Sequence, residues 1–176
     1  VTHAYTKLLS VPGIEGPVAL ITLDNGFDHT KPNSFGPAGL LAFDKALDEA
    51  FAANPAAIAV TGKPFIFAAG ADLKGVPAVT RREQGVELGT LGHNVFRRLR
   101  DTSIPTFAFV NGLALGGGLE VGLHTHYRTV ADNVPALGLP ETMLGLVPGW
   151  GGTQLLPNIV GPDNAVTLIL ENPLNN

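Results

Sequence analysis

An α/β fold is predicted for this chain by three observations. Runs of β-branched and apolar residues alternate with segments of helical periodicity. Glycine-rich turns stand where the two kinds of segment meet. Apolar residues make up 45% of the chain and charged residues only 15%, which excludes a disordered polymer and leaves enough apolar surface for a core. The 176 residues fit one domain, and no low-complexity linker divides them. A strand–glycine–helix unit recurs loosely, at positions 62–71 and again at 111–118.

Val18 to Leu23 reads as a strand, closed by the turn Asp24-Asn25-Gly26. Pro32 to Pro37 is turn-rich. Leu40, Leu41, Phe43, Ala46, Leu47 and Phe51 recur at helical spacing, which predicts a helix over 39–53. Ala57 to Thr61 is a second strand, and Phe65 to Ala69 is a short apolar piece ending at Gly70. Arg82 to Arg100 is a longer helix with Val86, Leu88, Leu91, Val95, Phe96 and Leu99 on one face. Its arginines, at 81, 82, 97, 98 and 100, read as a solvated face. Pro105 to Val110 is a third strand. Gly116-Gly117-Gly118 then opens a helix over 119–124, and Tyr127 to Ala131 is another strand. Pro148-Gly149-Trp150-Gly151-Gly152 opens a further helix, and the last covers 164–170.

The composition excludes several classes. A net charge of -4 argues against a nucleic-acid partner. Without cysteine there is no disulfide framework, cysteine nucleophile or thiolate metal site; a reducing compartment fits, and the cytoplasm is the expected location. No apolar run reaches the length of a membrane span. Val1 to Pro12 lacks the charged start and apolar run of a signal peptide. A start at Val1 and an end just after an apolar stretch are expected of the N-terminal fragment of a longer chain.

Two glycine turns follow strands: Ala68-Ala69-Gly70-Ala71-Asp72-Leu73-Lys74, and Asn111-Gly112 running to Gly116-Gly117-Gly118-Leu119-Glu120. Glycine lets backbone N–H groups approach a ligand, and such donors at a helix start hold developing negative charge. The same turns also serve simple close packing of backbone. The dinucleotide fingerprint fails at Val121, the Walker pattern fails after Gly62-Lys63, and no nucleophile elbow exists. Glu120 and Glu141 stand in apolar surroundings, where a carboxylate is either a surface residue or a tuned acid or base. Paired glutamates can hold one water and move its protons. His124 and His126, two apart, would share a face of a strand, but no third ligand for a metal is evident. Trp150 reads as a packing residue.

At these residues the chain resembles the crotonase (enoyl-CoA hydratase/isomerase) superfamily. The matching stretches are 67–74, 110–120 and 139–141 with 144–153, in register over about residues 15–165. The wording from Val147 to Gln154, with Asn172-Pro173-Leu174 beyond, is most similar to the hydratase part of multifunctional fatty-acid β-oxidation proteins. The resemblance implies a repeated ββα spiral core, cut before the C-terminal helical region that covers the acyl pocket and builds an oligomer. It implies that Ala71 and Gly117 N–H groups form an oxyanion hole. It also implies that Ala69, Asp72, Leu73, Lys74, Gly116 and Gly149 line the coenzyme A site. Glu120 and Glu141 match the hydratase pair, Glu120 as base and Glu141 as acid. The activity implied is hydration of a trans-2-enoyl-CoA to 3-hydroxyacyl-CoA, with coenzyme A as part of the substrate and no cofactor. The partners implied are the acyl-CoA and either further copies of the chain or a multifunctional β-oxidation complex. An isomerase moving a double bond from C3 to C2 needs one carboxylate, and a catalytically incomplete acyl-CoA-binding fragment needs neither. His124-Thr125-His126 departs from the family, which often carries Asp in this stretch.

Overall fold

The computed structural model describes residues 1–171; Asn172-Pro173-Leu174 lie outside the described residues. Its organising unit is two strands followed by a helix. The first round is β1 (His3–Leu9), β2 (Val18–Asp24) and α1 (Pro37–Ala52). The second is β3 (Ala57–Gly62), β4 (Phe65–Ala68), a 3-10 turn (Leu73–Ala78) and α2 (Arg82–Arg97). The third is β5 (Thr106–Val110), β6 (Gly112–Leu115) and α3 (Gly117–Leu123). The last is β7 (Tyr127–Val130), β8 (Leu137–Gly138), a 3-10 turn (Pro140–Leu144), α4 (Gly152–Val160) and α5 (Pro162–Leu170).

From the second round on, each round gives its first strand to one sheet and its second strand to another. The larger sheet runs β1-β2-β3-β5-β7 and the smaller β4-β6-β8. Only β1 is antiparallel, with His3 opposite Asp24 and Leu9 opposite Val18. The other pairs are parallel: Val60 lies opposite Ala108, and Ala108 opposite Arg128. This is the repeated ββα spiral that the resemblance implied.

The elements form for ordinary reasons. In β2 the alternate residues Ala19, Ile21 and Leu23 are buried, while β3 is buried almost throughout, as an inner parallel strand is. Pro37 starts α1, where its missing N–H costs nothing. Leu40, Phe43, Leu47 and Ala50 then make one buried stripe. That stripe meets Phe96 of α2 and, through Phe35, Trp150: Phe35–Phe96 and Phe96–Trp150 are both edge-on pairs at 5.4 Å. A second, smaller cluster joins Leu123, Leu139, Leu156 and Ala165.

Several expectations are corrected. The segment 3–9, for which no element was predicted, forms an edge strand, and Gly112 to Leu115 is a strand where a turn was expected. The long helix ends at Arg97, and Arg98 turns back to pair with Asp44 and Asp48 of α1 instead of facing solvent. His124 and His126 share no strand: His124 caps α3 and His126 lies in the turn before β7. Trp150 is a packing residue, as expected, at 6% exposure.

Candidate active site

The first glycine turn is held from below by the 25–35 loop. Ala69 N donates to Asn33 O at 2.7 Å, Phe35 N to Gly70 O at 2.8 Å and Asp72 N to Phe35 O at 3.0 Å. Asn33 is fully buried, and its amide donates to Leu23 O and Phe67 O while its Oδ1 accepts Asn25 N. Lys63, also buried, donates from Nζ to Asn25 Oδ1 at 2.6 Å and to the carbonyls of Phe27, Asp28 and Lys31. These partners fix both sides of Ala71, whose own N–H engages no acceptor among the described residues.

The second turn lies against the first. Gly70 has φ +82, and a Cβ there would stand 2.9 Å from Leu115 O and 3.1 Å from Gly117 N. Only glycine allows that approach. Gly117 is the first residue of α3, so its N–H has no acceptor within the helix, and it has none elsewhere among the described residues. Two unengaged backbone donors therefore sit on abutting turns, one of them at a helix start where negative charge is favoured.

The two glutamates flank the second turn. Glu120, one turn into α3, is 1% exposed. Its Oε1 accepts Trp150 N and Gly152 N, each at 2.8 Å, and no described residue bonds its Oε2. Burial pushes the Glu120 carboxyl up to about 7; the Gly152 N–H opposes this, the Glu141 charge adds to it and the Trp150 N–H opposes it. Glu141, in the 3-10 turn after β8, reaches toward Gly116, where a Cβ would lie 2.8 Å from its Oε1. Its Oε2 is buried without a hydrogen-bond partner among the described residues. Burial raises the Glu141 carboxyl as well, against a backbone hydrogen bond within the residue.

An apolar cleft of about 490 Å³ opens beside Ala71, lined by Phe35, Pro37, Asp72, Leu88 and Leu91 among others. It reaches the first turn but not the two glutamates, which lie beyond Gly116 and Gly117. Of the remaining sequence-picked residues, Ala69 is half-buried under the turn and Leu73 and Lys74 are exposed at its far end, with Lys74 N donating to Asp72 Oδ1. Gly116 is buried between the turns, and Gly149 is exposed just before Trp150. The structure thus gathers Ala69 to Lys74, Gly116, Gly117, Glu120 and Glu141 around two turns, with Gly149 on the adjoining segment. Sequence reasoning missed Asn33, Lys63 and the Trp150 and Gly152 N–H groups. The only sequence signal for the first two is a polar residue in a turn next to an apolar strand. Among the described residues no group of three or more His, Asp or Glu could hold a metal ion.

The comparisons with known proteins agree with this fold. The family model described as enoyl-CoA hydratase/isomerase matches residues 13–172. The fatty acid oxidation complex subunit alpha of Shewanella loihica is 38% identical over 169 residues, 93% of this chain and 23% of that protein. The chain thus spans less than a quarter of the length of this curated relative. An enoyl-CoA hydratase structure from Bacillus anthracis superposes with a TM-score of 0.76 at 31% identity, covering 93% of this chain and 61% of that one. Pseudomonas aeruginosa DspI superposes with a TM-score of 0.80 at 32% identity, covering 95% and 65%.

Proposed function

Since the chain belongs to the enoyl-CoA hydratase/isomerase family, we propose that it supplies the centre at which water adds to a trans-2-enoyl-CoA thioester to give a 3-hydroxyacyl-CoA. The observation that carries this reading is Glu120: a buried carboxyl pushed up to about 7, near a second glutamate whose Oε2 is buried and near two unengaged N–H donors. A general base works best with such a value near the operating pH.

In the proposed reaction Glu120 Oε2, the oxygen left free by the Trp150 and Gly152 bonds, takes a proton from water. The water oxygen attacks C3. The π electrons move to the thioester oxygen, and the Ala71 and Gly117 N–H groups hold the resulting enolate. Each such donor is worth about 3–4 kcal/mol in comparable oxyanion holes. As the enolate collapses, C2 takes a proton from Glu141. The reaction adds OH to C3 and H to C2 with no net oxidation or reduction, so it calls for no redox cofactor, and coenzyme A enters as part of the substrate. The Ala69 to Lys74 segment and Gly149 would lie along the coenzyme A arm, with Lys74 near its phosphates, and the apolar cleft beside Ala71 suits the hydrocarbon portion. The similarity to fatty acid oxidation complex alpha subunits favours a place in cytoplasmic β-oxidation, within a larger assembly.

Loss of the conjugated enoyl-thioester absorbance measures hydration by this chain and by Glu120→Gln and Glu141→Gln. Each variant is expected to lose at least ~100-fold in rate. A variant that keeps near-full hydration refutes the two-glutamate reading, and calorimetric binding of a CoA thioester without any turnover would favour an acyl-CoA-binding fragment instead.

A further inference from the structure

We infer that His124 is a positioning residue for Glu120, acting through the peptide that lies between the two N–H donors on that carboxylate. The inference rests on the proposed role of Glu120 and concerns how its carboxyl is held. His124 is fully buried at the end of α3, and its Nε2 lies 2.7 Å from Trp150 O. A carbonyl only accepts, so Nε2 carries the proton and His124 is the donor. Trp150 O belongs to the peptide joining residues 150 and 151. The N–H of Trp150 lies just before that peptide and the N–H of Gly152 just after it, and both point at Glu120 Oε1. Holding this one carbonyl therefore restrains the short segment that carries both donors.

Two further observations support a built contact. Gly151 has φ +122, and a Cβ there would come 2.6 Å from His124 Nε2, so the backbone is brought against the ring at a position only glycine fills without strain. The other ring nitrogen, Nδ1, is buried with no hydrogen-bond partner among the described residues. A buried nitrogen left unsatisfied calls for a reason, and placement of the other nitrogen on Trp150 O supplies one. The ring also stands edge-on to His93 at 5.7 Å and to Phe96 at 6.2 Å. Burial lowers its basicity to about 4; the bond to Trp150 opposes this, Arg100 and then His93 add to it, and Asp101 opposes it. The imidazole thus stays neutral, with one fixed donor, across the range where Glu120 titrates. The charged group facing Glu120 is Glu141, from the 3-10 turn.

The test needs no turnover, so it fails or succeeds apart from the hydration reading. In the full chain with 13C-labelled glutamate carboxyls, the Glu120 titration is followed by NMR and assigned by its absence in Glu120→Gln. In His124→Leu the donor is gone, the N–H pair is released, and the Glu120 titration is expected to move up by about one pH unit, a tenfold change in the protonation equilibrium. His124→Gln keeps an N–H donor and is expected to return the titration to within ~0.3 of wild type. An unmoved titration in a folded His124→Leu, or a Gln variant that behaves like the Leu variant, overturns the inference. Should His124→Leu not fold, 15N spectra of the wild-type ring decide: a neutral ring protonated at Nε2 from about pH 5.5 to about pH 8 is expected. A ring protonated at Nδ1, or charging within that range, overturns it.

Discussion

Replacing Glu120 by Gln should stabilise the fold at alkaline pH far more than at acid pH. The side chain is 1% exposed and its Oε1 accepts two N–H bonds of 2.8 Å. A glutamine keeps an oxygen for both donors and carries no charge. Below the ordinary carboxyl value of 4.5, Glu120 is protonated in the folded and the unfolded chain alike, and its charge costs nothing. As pH rises past 4.5 the unfolded chain releases the proton while the folded chain keeps it until about 7. Stability is therefore lost progressively as pH rises through the folded value, and the full penalty stands above it. At roughly 1.4 kcal/mol per pH unit the complete loss is about 3 kcal/mol. Between pH ~5 and pH ~8.5 the gap between Glu120→Gln and wild type should widen by about 2.5 kcal/mol in favour of the variant. Urea unfolding at the two pH values, followed by circular dichroism, reads that gap, and any constant effect of the amide cancels in the difference. A gap that stays flat or narrows would refute the assignment of a raised carboxyl to this position.

Three further outcomes can be measured in the same way. Lys63→Met removes the donor shared by Asn25 Oδ1 and three carbonyls of the 27–31 segment, and should cost about 2–4 kcal/mol in urea unfolding. Gly70→Ala forces a side chain into φ +82 and against Leu115 O, and should cost about 1–3 kcal/mol while lowering any hydration rate. Arg98→Ala breaks the pairs with Asp44 and Asp48, but those carboxylates are 36% and 68% exposed and screened by solvent, so the ionic part of the loss should be only about 0.5–1 kcal/mol and should shrink further in high salt.

The sequence was most legible where burial is one-sided or continuous. The β2 and α1 segments show their periodicity openly because their inward faces are all apolar and their outward faces are not, and β3, buried on both faces, shows as a continuous apolar run. The edge strand 3–9 was not legible: it is paired on one side only, and most of its residues face solvent, so no apolar face marks it. Gly112 to Leu115 was hidden for the opposite reason. Its glycine lets β6 cross tightly against the backbone of β4 at Phe65, so a strand residue looks like a turn residue. At the site, Glu120 and Glu141 were visible because charge in an apolar run is costly without a purpose. Asn33 and Lys63 were not, because their partners are carbonyls from distant segments, and a carbonyl leaves no mark in a sequence. His124 was visible as a histidine, but its contact with Trp150 O depends on how α4 returns to α3, which local periodicity does not encode.

The grip on Glu120 is also the joint between the two cores, and this separates charge from hydrogen bonding in a way that can be measured. α3 carries Val121 in the main cluster and Leu123 in the smaller one, and α4, which begins at Gly152, adds Leu156 to the smaller. The carboxyl of Glu120 therefore ties the start of α4 to α3. Glu120→Ala deletes the charge, as Glu120→Gln does, but it also leaves the buried Trp150 and Gly152 N–H groups without an acceptor, at about 1–3 kcal/mol each. The alanine variant should thus be less stable than the glutamine variant by about 2–6 kcal/mol at every pH. Against wild type, both variants should gain with rising pH along the same slope, because each has lost the same titrating group. Parallel slopes with a constant offset, measured by urea unfolding from pH ~5 to pH ~8.5, would assign the slope to the charge and the offset to the two N–H bonds. Slopes that diverge would mean that water enters the alanine cavity and the Trp150 turn moves, and the joint would then not be the rigid element that the geometry of Trp150 and Gly152 describes.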